Sequence, residues 1–244
     1  GEILKKDHFS SVYPPQIPLK ESSIFNTIMN SNETSLNPHI AVAKDLIAQI
    51  WQMILAKNGP YVISVAGESG SGKTETGAAL FHELKSLGKR SVVINQDNYF
   101  LLSPALNDAK RKADPTWLGP HKEANMALLQ KTIIDFTMGL PAIEIPFIDY
   151  HSNTSITQSV SLLDVEILIL EGTYVSLLKN IDTRIFITAD YNETLPYRKK
   201  RNRGNEVNDP FIENILETEH KIIAGHKFLA DWLILNDLTL KRNV

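Results

Sequence analysis

From residue 38 onward, apolar side chains recur at helical spacing. Ile40, Ala43, Ile47, Ile50, Trp51 and Ile54 predict an amphipathic helix from Pro38 to Lys57, stopped by Asn58-Gly59-Pro60. The period then changes. Tyr61-Val62-Ile63-Ser64-Val65-Ala66 is a β-rich run that enters a glycine-rich turn, and a helix follows from about Lys73 to Leu87, ended by Gly88. Ser91 to Asn95 predicts a strand, residues 96–119 a polar loop, and about His121 to Met138 a second amphipathic helix stopped at Gly139. Residues 142–161 read as two short strands around His151-Ser152-Asn153-Thr154. Val165 to Leu170 is nearly continuous in apolar residues, which predicts a strand buried on both faces. Arg184 to Thr188 is a further short strand. Asp209-Pro210 supplies an N-cap and a first-turn proline for a helix to about Phe228, with Ile212, Ile215, Leu216, Ile222 and Ile223 on one face. Trp232 to Leu235 is the last predicted strand. Strands alternating with helices predict an α/β domain whose mainly parallel sheet is covered on both sides. Residues 1–37, rich in Pro, Ser and Asn, read as irregular, so the expected organisation is an extension over 1–57 ending in the amphipathic helix and a domain over 58–244.

Composition narrows the function classes. Hydrophobic residues make up 43% of the 244 and charged residues 22%, which suits a globular chain with a sizeable core. With 25 Lys and Arg against 28 Asp and Glu the net charge is −3, so no global positive field favours nucleic acid. The sequence has no cysteine, which excludes a disulfide scaffold, a thiolate zinc site and a cysteine nucleophile. The longest apolar stretch, Leu46 to Ala56, is broken by Gln49 and Gln52 and is too short for a bilayer. The opening residues lack the apolar core of a signal peptide. The expectation is a cytoplasmic protein with no membrane or nucleic-acid partner, and a homo-oligomer stays compatible with it.

Gly67-Glu68-Ser69-Gly70-Ser71-Gly72-Lys73-Thr74 matches the phosphate-loop pattern G-x-x-x-x-G-K-[ST] without a gap. Glycines let the backbone curl until successive N–H groups point into one anion-sized hollow, and the next helix adds the positive end of its dipole. These eight residues, with Glu75 after them, are the nucleotide-binding candidates. Lys73 would reach the β- and γ-phosphates, and the Thr74 hydroxyl would ligate Mg²⁺. The guanine-reading N-K-x-D segment and the transporter signature L-S-G-G-Q are both missing from the sequence.

Acids lie at two strand ends. Asp97 follows the second strand, where an open parallel sheet binds its ligands, and is placed to take a proton from an attacking hydroxyl. Glu171 closes Leu168-Ile169-Leu170-Glu171-Gly172, a hydrophobic strand ending in an acid like a Walker B strand, and would hold Mg²⁺ or order the attacking group. A basic segment carries Arg198, Lys199, Lys200, Arg201 and Arg203. A lid there would bring Arg198 and Arg201 to the transferring phosphoryl and Arg203 to the nucleotide. His82, His220 and His226 are assigned no catalytic part.

Taken in order, these motifs resemble the uridine kinase and phosphoribulokinase family of P-loop kinases, to which pantothenate kinase is related. The resemblance covers about residues 58–236. It rests on the phosphate loop, Asn95-Gln96-Asp97-Asn98-Tyr99-Phe100, Ile145-Pro146-Phe147-Ile148-Asp149-Tyr150, Leu170-Glu171-Gly172, the basic lid and Ala230-Asp231-Trp232-Leu233-Ile234-Leu235. It implies a P-loop NTPase-type three-layer α/β/α fold with a five-stranded parallel core sheet and a substrate-side β-hairpin. It also implies Asp97 as base, lid arginines on the ATP phosphates, and Asp97, Tyr99, Asp149, Tyr150 and His151 about the acceptor. Uridine kinases typically carry a Tyr before the Asp of the acceptor segment and a His and an Arg after it, and this chain has Ile148, Asn153 and Ser155 there.

The function expected is ATP- and Mg²⁺-dependent phosphoryl transfer to a hydroxyl of a small metabolite. A nucleoside is the first acceptor by resemblance. A sugar or sugar phosphate is the second, with Lys110, Arg111, Lys112 and Lys122 as candidate anchors. The rival class is a nucleotide-binding regulatory or assembly protein that transfers no phosphate.

Overall fold

The computed structural model describes residues 38–149, 152–201 and 209–244. The residue 1–37 extension therefore lies outside the described residues. So do Tyr150, His151 and Arg203, and the Arg201 side chain. No helix among the described residues is long and apolar enough to cross a membrane.

The chain runs through helix α1 (Pro38–Ala56), β1 (Tyr61–Gly67), α2 (Lys73–Ser86), β2 (Ser91–Asn95) and α3 (Pro104–Ala113). Next come α4 (Met126–Thr137), the hairpin β3 (Ala142–Asp149) and β4 (Thr154–Ser161), β5 (Ile167–Glu171) and β6 (Thr183–Ile187). It closes with α5 (Leu195–Arg201), α6 (Pro210–Ile223), β7 (Trp232–Ile234) and β8 (Leu240–Arg242). Among the described residues the main sheet has the order β2-β5-β1-β6-β7-β8, and β3 and β4 form a separate antiparallel pair. The first five are parallel, as expected, and β8 adds a sixth strand antiparallel to β7.

Alternation along the central strands builds three layers. Ile63 and Val65 of β1, with Ile167 and Ile169 of β5, pack beneath α1 and α2, joined by Leu46, Ile50 and Leu80. Val62 and Ala66, with Leu168 and Leu170, face the other way, toward Leu129 and Ile133 of α4, the hairpin and Ile223 of α6. Every residue of β1 and β5 is buried, which is why these strands read as nearly continuous apolar runs, interrupted by Ser64 in β1 and closed by Glu171 in β5. Helix α1 thus shares one core with the sheet, although it precedes the first strand.

Two local expectations need correction. The helix expected from His121 starts at Met126, because the Asn125 side chain accepts from Leu128 N–H at 3.0 Å and caps it. Residues 96–119 are not one polar loop. They contain a 3₁₀ turn at Gln96–Tyr99, the helix α3 with Pro104 in its first turn, and a second 3₁₀ turn at Pro115–Trp117. α3 is too polar to register as a periodic apolar pattern, since Asn107 is its one buried residue.

If α1 belongs to the sheet's core, Ile50→Ala, which deletes a fully buried side chain, should lower unfolding free energy by about 2–5 kcal/mol. Met53→Ala on the exposed face should change it by less than about 0.5 kcal/mol. Urea unfolding of the two variants checks this.

Candidate functional site

The carboxyl ends of the parallel strands form one edge, and the candidate residues lie along it. Val65 of β1 pairs with Glu171 of β5, which pairs with Asn95 of β2. The phosphate loop, Glu171 and the Asp97 turn are therefore consecutive neighbours across the sheet. In the turn that leaves β1, Gly67, Gly70 and Gly72 have φ 156°, 83° and 97°, conformations that L side chains rarely adopt, and a Cβ at Gly67 would also lie 2.7 Å from the Ser71 hydroxyl. Gly72 has a second reason: a Cβ there would lie 2.5 Å from the His39 ring, which packs on the loop and whose Nδ1 hydrogen-bonds the Thr76 hydroxyl at 2.9 Å. Burial holds His39 below the usual histidine range, and the Glu75 charge opposes this.

Lys73 folds back, its ammonium donating to the Glu68 carbonyl at 2.8 Å. The Thr74 hydroxyl donates to Glu171 Oε1 at 3.1 Å, so the two expected metal residues are brought together. Burial pushes the Glu171 carboxyl up to about 7, and the Asp97 charge raises it further against the pull of Lys73 and Thr74. A hydroxyl and a buried carboxylate are hard oxygen donors that fit Mg²⁺, which keeps several waters and shares its shell with substrate phosphates. Among the described residues no group of three or more His, Asp or Glu could hold a metal by itself.

Asp97 is half-buried on the turn after β2, its amide donating to Asn95 Oδ1 at 2.6 Å. Its neighbour Asn98 accepts from Ile148 N–H at 3.1 Å and ties the hairpin to the same turn. Asp149 ends β3, accepting from the Ser152 hydroxyl at 2.7 Å. Gln96 beneath Asp97 is fully buried, accepts from Tyr174 N–H at 2.6 Å and fits because Gly172 is glycine: a Cβ there would sit 2.3 Å from the Gln96 Cβ.

Four expectations are corrected by placement. Tyr99 does not line an acceptor space: it is 1% exposed, its hydroxyl bonded to Thr132 at 2.9 Å within the core. The Glu68 side chain turns away from the cradle, its carboxylate bonding His220 Nδ1 and Tyr191 N–H. Arg198 is a strut beneath α5: it is 3% exposed and donates to the Tyr191 carbonyl at 2.8 Å and to Glu213 at 3.2 Å. Arg111, a candidate phosphate anchor, bonds the fully buried Glu123, which also accepts from the Tyr174 hydroxyl at 2.9 Å.

Sequence reasoning missed the groups that brace the loop from outside. Glu219 of α6 accepts from Ser69 N–H at 2.7 Å and from the Ser69 hydroxyl at 3.0 Å. A signal existed, since Leu216, Glu219 and Ile223 share the buried stripe of α6, and an acid on an apolar stripe asks for a partner.

Topology and site define a P-loop kinase architecture. The family model for Phosphoribulokinase / Uridine kinase matches residues 62–217, and the chain belongs to that family. A uridine kinase of Ureaplasma parvum serovar 3 is 26% identical over 203 residues, covering 71% of this chain and 96% of the relative. A bifunctional alpha-galactosidase/sucrose kinase of Mediterraneibacter gnavus is 26% identical over 187 residues, 72% of this chain and 20% of that protein. The structure of a putative fructose transport system kinase from Silicibacter sp. TM1040 superposes with a TM-score of 0.56 at 17% identity, covering 77% of this chain and 93% of that one.

The raised Glu171 carboxyl has a consequence for stability. Because its folded pKa lies above the ordinary carboxyl value, the native state binds the extra proton between about pH 4.5 and about 7. Stability falls as pH rises through that window, and the full cost is present above it. Glu171→Gln should therefore raise the melting temperature of the ligand-free protein at pH 8, and the gain should be much smaller at pH 5, near the foot of that window. Thermal melts at the two pH values check it.

Proposed function

We propose that the protein transfers the γ-phosphoryl group of ATP to a hydroxyl of a small metabolite with Mg²⁺ as cofactor. The observation that carries this reading is the convergence, on one sheet edge, of the phosphate loop, the Thr74–Glu171 pair and Asp97. The amides from Gly70 to Thr74 receive the phosphates, and Lys73 leaves the Glu68 carbonyl for the β- and γ-oxygens. Thr74 and Glu171 would hold a magnesium ion, which when bound would supply charge neutralisation across those phosphates. Asp97 accepts the proton of the attacking hydroxyl as its oxygen bonds to phosphorus and the bond to the ADP oxygen breaks. Arginines of the basic segment screen the spreading charge, Arg201 and Arg203 being the candidates left after Arg198 is assigned to the frame.

The acceptor class follows from the relatives and from the departures noted above. The curated relatives are named for a nucleoside and for a sugar. Ile148, Asn153 and Ser155 stand where a uridine site is expected to carry its gripping groups. We therefore place nucleosides, sugars and sugar phosphates on an equal footing as acceptors, with the chemistry at Asp97 common to all.

Lys73→Ala should lose both nucleotide affinity and turnover. Asp97→Asn should keep MgATP binding by calorimetry while turnover falls about 10²-fold or more. ADP release across a panel of nucleosides, sugars, sugar phosphates and pantothenate tests the whole reading. Wild-type turnover in Asp97→Asn would remove Asp97 as the base, and nucleotide binding without acceptor-dependent turnover would favour a sensor.

A further inference from the structure

Helix α6 lies almost against the first turn of the phosphate loop, and one of its faces holds both Glu68 and Ser69. Glu219 is 6% exposed and takes two donors from Ser69, the amide and the hydroxyl. The next residue, His220, bonds Glu68, whose second oxygen accepts Tyr191 N–H at 2.7 Å. Six residues earlier on the same helix, Glu213 holds Arg198 of α5, and Arg198 returns to the Tyr191 carbonyl. Loop, basic helix and α6 thus form a closed ring of hydrogen bonds. Glu219 and His220 fall beyond the residues 62–217 that the family model matches.

We propose that Glu219 and His220 are positioning residues of the phosphate cradle, fixing Glu68 and Ser69 so that the amides after them are already aimed at the triphosphate. The inference rests on the nucleotide reading given above and adds the groups that make the hollow rigid. A loop rich in glycine has the largest entropy to lose on ordering. Bonds that order it before the ligand arrives reduce what binding must supply. Glu219 is suited to this because a carboxylate takes two donors at once and a buried one is costly to leave without them. Burial raises its carboxyl, while Lys73 and the Ser69 donors pull it back. Its charge therefore lies within reach of the lysine meant for phosphate.

The test separates ordering of the loop from general stability. Wild-type titration with MgADP comes first, and absence of binding there would overturn the nucleotide reading and this inference together. With binding established, Glu219→Ala should raise KM for MgATP about 10-fold or more while kcat at saturation stays within about threefold. Glu219→Gln keeps an acceptor for Ser69 N–H and a donor for its hydroxyl, so it should return KM to within about threefold of wild type. His220→Ala changes a side chain that is 38% exposed, which leaves the fold intact if the core variant fails. It should raise KM about threefold with kcat unchanged. Unaltered KM in Glu219→Ala and His220→Ala, or equal losses in Glu219→Ala and Glu219→Gln, would overturn the proposal.

Discussion

An anion-binding turn must be stiff before its ligand arrives, because its binding groups are backbone amides that no side chain can re-aim. The rest of the site depends on how this chain meets that constraint. β1 is buried on both faces between β5 and β6, so the loop leaves a strand that cannot shift. Its far end enters α2, whose Thr76 is bonded to His39 of α1. Its near turn is held by α6. Elements from both ends of the chain therefore converge on eight residues, which explains why a helix ahead of the first strand packs into the sheet's core rather than trailing from it.

The same arrangement concentrates buried acids around a loop built for anions. Glu68, Glu171 and Glu219 all lose solvent there, and burial raises each carboxyl. They differ in what offsets the cost. Glu68 has His220 and a backbone amide, and Glu219 has both donors of Ser69. Glu171 has the Lys73 charge and one hydrogen bond, from the Thr74 hydroxyl at 3.1 Å, while Asp97 and Glu75 nearby work against it. The acid left most weakly compensated is thus the one at the end of β5, beside the P-loop hydroxyl, where a divalent cation would offset the charge. Well-compensated acids act as frame, and the poorly compensated one points to chemistry.

Legibility in the sequence followed the range of the interaction. β2 was readable to the residue and the hairpin nearly so, because strand periodicity and turn residues are local. The phosphate loop was readable because its geometry is written in three closely spaced glycines, Gly67, Gly70 and Gly72, just ahead of Lys73 and Thr74. Tyr99 was misjudged because an aromatic residue two positions after a candidate base looks the same whether it faces a ligand or Thr132 in the core. Arg198 was misjudged for a related reason: a run of basic residues does not reveal which one is turned inward to bond Tyr191 and Glu213. The brace from Glu219 to Ser69 spans 150 positions and follows no spacing rule. Only its cost, an acid on the buried stripe of α6, was visible beforehand.

The segment after Asp97 obeys a second logic, in which a buried charge organises a loop instead of a strand. Glu123 is fully buried and gathers Arg111, the Asn107 amide, Gly119 N–H and the Tyr174 hydroxyl. Tyr174 N–H in turn holds Gln96, the residue before Asp97. The polar segment between β2 and α4 is therefore tied, through two buried hubs, to the strand end that carries Glu171. An arginine committed to a buried carboxylate is a poor anchor for a substrate phosphate, because releasing it would strand Glu123 without its charge partner. The other two basic residues of α3, Lys110 and Lys112, lie over the rings of Trp117 and Phe211. The floor beneath Asp97 is set separately, by Gln96 packed against Gly172, so that turn is fixed from within the core and not by the surface cations.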